Sequence, residues 1–555
     1  MEQSRLLIAI VLSLAIFLAW QFIFAPDEAE RRQAKKVESP AVEEKQAAKD
    51  TEKPYKEAVE TPAPVEQSTV EATPLQIAAT VTVDTPLYQA KISENGAVFY
   101  SFLLKNYREK VQKDAPFKQI LTGDETVGIG RLGFAGKSIA GLDKAVFSAN
   151  LPSGRLDVND SPRNLTFSWR SPDGIVIEKT YKFAPDTYAI GMEVIIKNSS
   201  GRGIQDRLFV SLNAKAPGDK RMYAFEGPSA LINDELKEIK TKKLKDQNTF
   251  EGKIKWVALQ SRYFMSGLIP DQIEEASLHL ALKSDKFVAA RYRQPEKAIQ
   301  AGTQYTYNYQ LFMGPKRIEE LKNVGNDLNK VVDFGWFDIL AKPCLWLMNL
   351  FYSVIPNYGV AIIVLTLLVK ILLWPLGQKS YKSMSEMKKI QPLMKEIREK
   401  YKDDKQRMNQ EVMGLYRTYK INPLGGCLPM VVQLPVFFAL YRMLYEAIEL
   451  RHAPFFLWID DLAAPDRLFR FDFSIPFMEP PYGIPVLTIV MGASMLLQQK
   501  MSPPMGDATQ AKMMMFMPII FTFIFINFSS GLVLYWLVNN ILSIAQQYYT
   551  QKKYT

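Results

Sequence analysis

The sequence predicts a polytopic α-helical membrane protein with six transmembrane helices and a large β-sandwich domain outside the membrane. Three observations carry this reading. Long apolar runs occur once near the start and then crowd into the chain after about residue 345. Residues 79–315 alternate apolar and polar side chains over many short stretches, as half-buried strands do. Basic residues gather between the later apolar runs, the positive-inside pattern of cytoplasmic loops. At 555 residues the chain has room for several folding units, and its mean hydropathy of −0.08 averages two unlike parts. The net charge of +10 therefore reads as a topology signal, and no direct nucleic-acid partner is expected. The only two cysteines, Cys344 and Cys427, fall at opposite membrane faces in this topology. No disulfide, zinc site or other cofactor is expected.

Residues 6–24 (LLIAIVLSLAIFLAWQFIF) are an apolar run long enough to span. The run ends in Trp20, Phe22, Ile23 and Phe24, not in the small residues of a cleavage site. Residues 1–26 are therefore read as an uncleaved transmembrane anchor. Residues 27–78 are rich in Ala, Glu, Lys, Pro and Thr and nearly lack aromatic side chains. They cannot bury enough apolar surface to offset their ordering entropy, so they read as a disordered linker. Within 79–315, Ser171-Pro172-Asp173-Gly174 between two alternating runs signals a hairpin. Gly136-Lys137-Ser138 ends like a phosphate loop, but the glycine that motif needs would fall at Arg131. His279 stands alone in this domain, and a lone histidine is more often structural than catalytic. Residues 316–357 return to helical spacing at Ile318, Leu321, Val324 and Leu328, followed by the apolar, aromatic run 345–354. They read as amphipathic helices lying at the membrane interface.

Residues 358–548 form a five-helix core. The run 360–375 (VAIIVLTLLVKILLWP) carries one full charge, Lys370, with Thr366 four residues earlier on the same helical face. An ammonium at the bilayer centre costs roughly 2.5–3.5 kcal/mol on insertion scales. Either water or a partner receives Lys370, or it snorkels to the headgroups beside Trp374. A strongly basic helical hairpin follows at 377–422, which places it in the cytoplasm. Met384, Met387 and Met394 lie on one apolar stripe and Met408 on a second, separated by Lys402-Asp403-Asp404. Two readings stand for it: a solvated hairpin, or a landing surface whose flexible Met side chains suit varied apolar clients. Further spans are expected at 427–445, 484–499, 513–528 and 532–548, with an acidic outer loop at 449–483 and an inner tail at 549–555. Both termini are then cytoplasmic. Gln433 lies in the third span, and Trp536, Asn540, Ser543 and Gln547 share one face of the sixth. Hydrogen bonds between helices, worth about 0.6 kcal/mol each, explain some of these polar groups. They account less well for Lys370, because no span carries a carboxylate near its centre. A hydrated inner pocket does.

The run NPLGGCLP at 422–429, continued by QLPVF at 433–437, resembles the signature of the YidC membrane protein insertases. So do QKMSP at 499–503, FMP at 516–518 and SGLVLYW at 530–536. The whole chain follows the Gram-negative layout of that family: anchor, large periplasmic domain, five-span core. The resemblance implies an inner-membrane location and a periplasmic β-sandwich of the sugar-mutarotase, supersandwich-like type. It also implies a hydrophilic groove open to cytoplasm and lipid and closed toward the periplasm. The family's positive groove residue, usually arginine, falls at Lys370. Its substrate-contacting threonine falls at Thr366 and its aromatic contact at Trp536, with Gln433, Asn540 and Ser543 as further groove candidates. The implied activity is insertion and chaperoning of nascent inner-membrane proteins, alone or with the Sec translocon and its accessory subunits, without covalent chemistry. The lipid bilayer is a partner throughout. The ribosome is a further candidate partner, with the short tail 549–555 arguing against docking through it. The rival reading is a secondary transporter with a polar intramembrane site, which lacks a visible intramembrane carboxylate or inverted repeat. A periplasmic sugar-active enzyme on an anchor would not need five further spans.

Overall fold

The computed structural model describes residues 78–554 except 152, 218–223, 284–285, 420, 422–427 and 503–507. The expected anchor at 1–26, nearly all of the expected linker, and Cys427 lie outside the described residues.

Strands run from Thr80 to Pro315. Five form a small sheet in the order Phe117–Gln119, Val98–Arg108, Tyr88–Ser93, Thr80–Asp84, Arg155–Asp157. A second, thirteen-stranded sheet is organised around the long strand Thr249–Gln260. Its first half pairs with Glu275–Lys283 and its second half with Phe264–Pro270, so one strand serves two halves of the sheet. The halves face each other: Tyr292 meets Tyr309 edge-on with ring centroids 6.4 Å apart. The turn Ser171–Gly174 does join Arg163–Arg170 to Ile175–Phe183 as a hairpin, with Gly174 at φ 88° where a side chain would be strained. Ile175–Phe183 alternates strictly between buried and more exposed positions. One of its inward residues is Lys179, fully buried, whose Nζ donates to the carbonyls of Ala97 (2.6 Å) and Gly130 (2.5 Å). Burial pushes that ammonium well below its ordinary range. The small sheet is pinned to the large one there and by Tyr181 Oη donating to Ala97 O at 2.7 Å.

Helix α1 (Ile318–Val324) leaves the last strand, and α2 (Asp338–Val354) follows. Helix α2 buries Ala341, Leu345 and Met348 and exposes Ile339, Trp346, Leu350 and Val354. It starts before the apolar run read at 345–354, because Asp338 accepts a hydrogen bond from Phe334 N (3.2 Å) in the turn that leads into it. Helix α3 (Tyr358–Leu372) is capped by Asn357, whose side chain accepts from Val360 N at 3.1 Å. At Leu373 the chain bends and continues as α4 (Trp374–Lys389). Pro375 is the cause: it has no N–H for the carbonyl of Ile371 and its ring displaces that turn. Leu373 N donates to the carbonyls of Val369 and Ile371 instead. Helices α5 (Gln391–Lys400) and α6 (Lys405–Thr418) form the basic hairpin beyond α4. Four more follow: α7 (Leu428–Glu446), α8 (Val486–Met501), α9 (Ala508–Phe525) and α10 (Ser530–Tyr554). Helix α10 is the spine, packed against α3, α4, α7 and α8.

Among the described residues no single helix is long and apolar enough to cross a membrane by itself. Helices α3 and α4, bent by 65°, meet that length and composition together. Pro435 lies within α7 and Pro518 within α9, and α10 devotes a face to amides and hydroxyls.

The β domain is tied to the helical core through Arg262. Its Nε donates to Tyr445 O at 2.8 Å, and the guanidinium stacks over the Tyr445 ring at 3.7 Å. A charge-assisted hydrogen bond and a cation–π contact together are worth roughly 2–4 kcal/mol. Arg262→Ala should therefore loosen this contact. Limited proteolysis should cut the connector near residues 325–337 markedly faster than in the unaltered protein, with the β domain itself still resistant. Unchanged cleavage kinetics would show that the contact adds nothing.

Candidate functional site

The bend at Leu373 opens a cavity of about 310 Å³ between α3, α4, α7, α8 and α10. Lys370, in the last turn of α3, points into it. Its Nζ donates to Ser543 Oγ at 2.6 Å, and Ser543 Oγ donates to the carbonyl of Asn539 at 2.7 Å. Asn539 Oδ1 accepts from Gln433 Nε2 at 3.0 Å, which joins α7 to the same network. Asn540 Nδ2 donates to Ser494 Oγ at 3.2 Å and ties in α8. Helical spacing places these groups on one wall, because residues three, four and seven apart on α10 share a face.

The lining holds one full positive charge and no carboxylate. Lys370 is thus hydrogen-bonded to a hydroxyl but has no neutralising partner there. Trp536 packs edge-on against Phe437 (4.6 Å between centroids) and tilted against Phe525 (5.2 Å). Its indole N–H finds no acceptor in the structure, and neither amide oxygen of Gln546 or Gln547 finds a donor. The lining brings together a cation, amides, hydroxyls and an aromatic floor, a set that can receive a polar or anionic group. No residue set for bond-making chemistry is present in the lining.

Lys370, Gln433, Trp536, Asn540 and Ser543 are brought together here. Thr366 is not. It is buried along α3 and donates its hydroxyl to Ile362 O at 2.6 Å, a back-bond to its own helix. The methionine stripe divides. Met384 lines the cavity, whereas Met387 and Met394 are buried in the hairpin's own core with Ile390 and Ile421. Met394 Sδ accepts from Tyr416 Oη at 3.6 Å, across the hairpin. An amphipathic hairpin covers its stripe with its other half, which is why these two do not face outward. Met408 is half-buried on α6.

Three groups of the site were not singled out from sequence. Tyr381 lies against Ser543 and Gln498, within hydrogen-bonding reach of both. Gly377 lets α4 approach α10, since a Cβ there would sit 2.8 Å from the Gln546 amide. Asn539 completes the network next to Asn540. Gly377, Tyr381 and Met384 stand at helical spacing on α4, and that was the available signal.

Residues 350–555 match the family described as “60Kd inner membrane protein”, and residues 80–347 match “YidC periplasmic domain”. The “Membrane protein insertase YidC” of Syntrophus aciditrophicus is 44% identical over 478 residues, covering 85% of each chain. That of Pelobacter propionicus is 38% identical over 570 residues, covering 99% of each. Among solved structures, an active YidC insertase with its first transmembrane domain resolved aligns over 85% of this chain and 95% of that chain. The identity is 18% and the TM-score 0.37.

Proposed function

The chain belongs to the YidC family of membrane protein insertases, and we propose that it inserts its clients through the cavity around Lys370. It is an inner-membrane protein with a periplasmic domain and a helical core, and its work is insertion, not catalysis. The clients are nascent membrane proteins. Their polar or acidic extracytoplasmic segments enter the cavity, drawn by the Lys370 ammonium. Their apolar helices then pass along α7 and α9 into lipid, driven by burial at about 25 cal/mol per Å². One observation carries this reading: a cation held by a hydroxyl alone, in a polar cavity with no carboxylate to neutralise it.

The reading has six spans: residues 6–24, 360–375 along α3, and α7, α8, α9 and α10. The basic hairpin 377–422, which takes in most of α4 together with α5 and α6, lies in the cytoplasm, and the periplasmic β domain, residues 79–315, is a sandwich of the supersandwich type. Helix α8, at 16 residues, is about 24 Å long, short of a hydrocarbon core of about 30 Å. Such a mismatch thins the bilayer beside the cavity and shortens the barrier to a polar segment. The Sec translocon and its accessory subunits are proposed partners for clients too large to enter alone.

Site-specific photo-crosslinkers test the route. Probes at Met408 and Met384 should capture a stalled client early, and a probe at Trp536 should capture it at longer chain lengths. Crosslinks to lipid alone at all three positions would refute the route. The β domain should matter little to insertion, since the cavity is built wholly from residues after 368. Deleting about residues 79–310 while keeping the anchor should leave most insertion activity in depletion-complementation assays. Complete loss, with the shortened protein still in the membrane, would refute that.

A further inference from the structure

The segment between α7 and α8, residues 451–485, buries part of its charge and exposes part of its largest apolar surface. Two of its charged side chains, Asp466 and Arg467, point inward. Arg467 is buried: Nε donates to Pro481 O (2.8 Å) and Nη1 to Asp466 O and Ile526 O (2.8 Å each). Asn527, at the α9–α10 junction, receives Glu479 N (2.9 Å) and donates to Phe477 O (2.8 Å). Asp466, also buried, accepts from Trp458 Nε1 and Leu487 N, both at 2.5 Å. Ile459, Leu462 and Met478 are buried, but four large apolar side chains point outward. Leu457, Phe469, Phe473 and Phe477 are 88, 73, 65 and 86% exposed.

The backbone is bent to achieve this. Leu457, Phe469 and Phe477 have φ of 61°, 49° and 66°, the left-handed region that bulky residues avoid. Such conformations persist where the surroundings over-determine them. Here the Arg467 and Asn527 hydrogen bonds hold the short strand pair Leu468–Phe471 and Tyr482–Ile484 in place. A loop in water turns its apolar groups inward; the opposite polarity fits an apolar surrounding.

The fold says which surrounding. The segment starts against the periplasmic domain, where an Arg451 Nη2 donates to Arg108 O at 2.5 Å. It ends on α8, whose Ile489 and Val490 are exposed, and it is latched to the end of α9, whose Phe523 and Ile524 are exposed. The outward aromatic side chains therefore continue the apolar faces of two membrane helices on the periplasmic side. Exposed Arg470, Asp472 and Glu479 beside them limit the depth to the headgroup boundary.

We propose that residues 456–477 form a wedge seated in the periplasmic leaflet, with Leu457, Phe469, Phe473 and Phe477 among the upper acyl chains and their partner the lipid bilayer itself. This goes beyond the cavity and holds whether or not Lys370 attracts clients. The full chain, with Cys344 and Cys427 replaced by serine, takes a single cysteine at Phe469, Phe473 or Phe477, or at exposed Lys253 of the β domain as an aqueous control. Each is labelled with an environment-sensitive fluorophore and reconstituted in phosphatidylcholine vesicles. Lipid carrying a nitroxide near the headgroup should quench the three loop positions several-fold more than Lys253, and aqueous iodide should quench them several-fold less. Hydroxyl-radical footprinting of the unsubstituted protein in nanodiscs gives the same reading without any variant: Phe469, Phe473 and Phe477 should be protected while Phe117 is oxidised. Access from water in vesicles and nanodiscs overturns the proposal. If the same residues are then protected only in native membranes, the partner is another protein and the proposal is equally overturned.

Discussion

Lys370→Glu should abolish insertion of clients with acidic extracytoplasmic segments, Lys370→Ala should impair it, and Lys370→Arg should be tolerated. The order follows from charge and reach. A pair of opposite charges 4 Å apart at an effective dielectric near 20 is worth about 4 kcal/mol, and alanine forfeits roughly that. Glutamate turns the same term repulsive. Arginine keeps the charge and gains a fork of donors, of which Ser543 can receive one. Strongly apolar clients should insert in all four proteins, because their transfer into lipid does not depend on the cation. Insertion of one client, with its extracytoplasmic aspartates present or neutralised, separates the cases. Equal insertion of both client forms across Lys, Ala and Glu would sink the attraction and leave the family assignment untouched. The snorkelling alternative predicts that near-neutral result, yet Nζ is turned toward α10, where it donates to Ser543.

Gly359→Ala should destabilise the core severely, for a reason unrelated to charge. A Cβ at residue 359 would stand 2.0 Å from Phe455 Cδ2 and within 2.7 Å of two more ring atoms. An aromatic ring packed among Phe456 and the turn closed by Leu462 N and Ala453 O (2.9 Å) has little room to retreat. Overpacking of this kind costs about 1–3 kcal/mol and more where backbone must move. The apparent melting temperature in detergent, read by loss of the monodisperse species, should fall by several degrees. Adding Phe455→Ala should give back part of the loss, so the two substitutions should be far from additive. Additive losses would mean the ring is not the obstacle.

The residues that proved hard to read from sequence share a physical cause. The polar face of α10 was legible, because Trp536, Asn540 and Ser543 recur at helical period. That Ser543 receives Lys370 was not, because the two stand 173 residues apart and meet only through packing. Strands such as Ile175–Phe183 announce themselves by alternation. Phe264–Pro270 does not, since it is buried on both faces and shows no period of two. Pro375 is visible and reads as a span's end; that the chain bends at Leu373 and continues directly as the helix α4 was not legible, because it depends on how the turn before the proline closes. Thr366 reads as a groove residue and Met387 as part of a client-receiving stripe from helical period alone. A face does not reveal whether a hydroxyl is spent on its own backbone or a thioether on its own hairpin.

The Arg262–Tyr445 contact has a consequence for the order of biosynthesis. Tyr445 O is among the last four carbonyls of α7, which have no partner within the helix. Its donor comes from 183 residues earlier in the chain. Domains are made from the N-terminus and generally fold as units. Where the β domain folds before α7 leaves the ribosome, the cap for that helix is waiting when the helix arrives. A chain lacking the domain would have to complete the periplasmic end of α7 with water. Its core would then be slower to mature, even where its finished activity is the same.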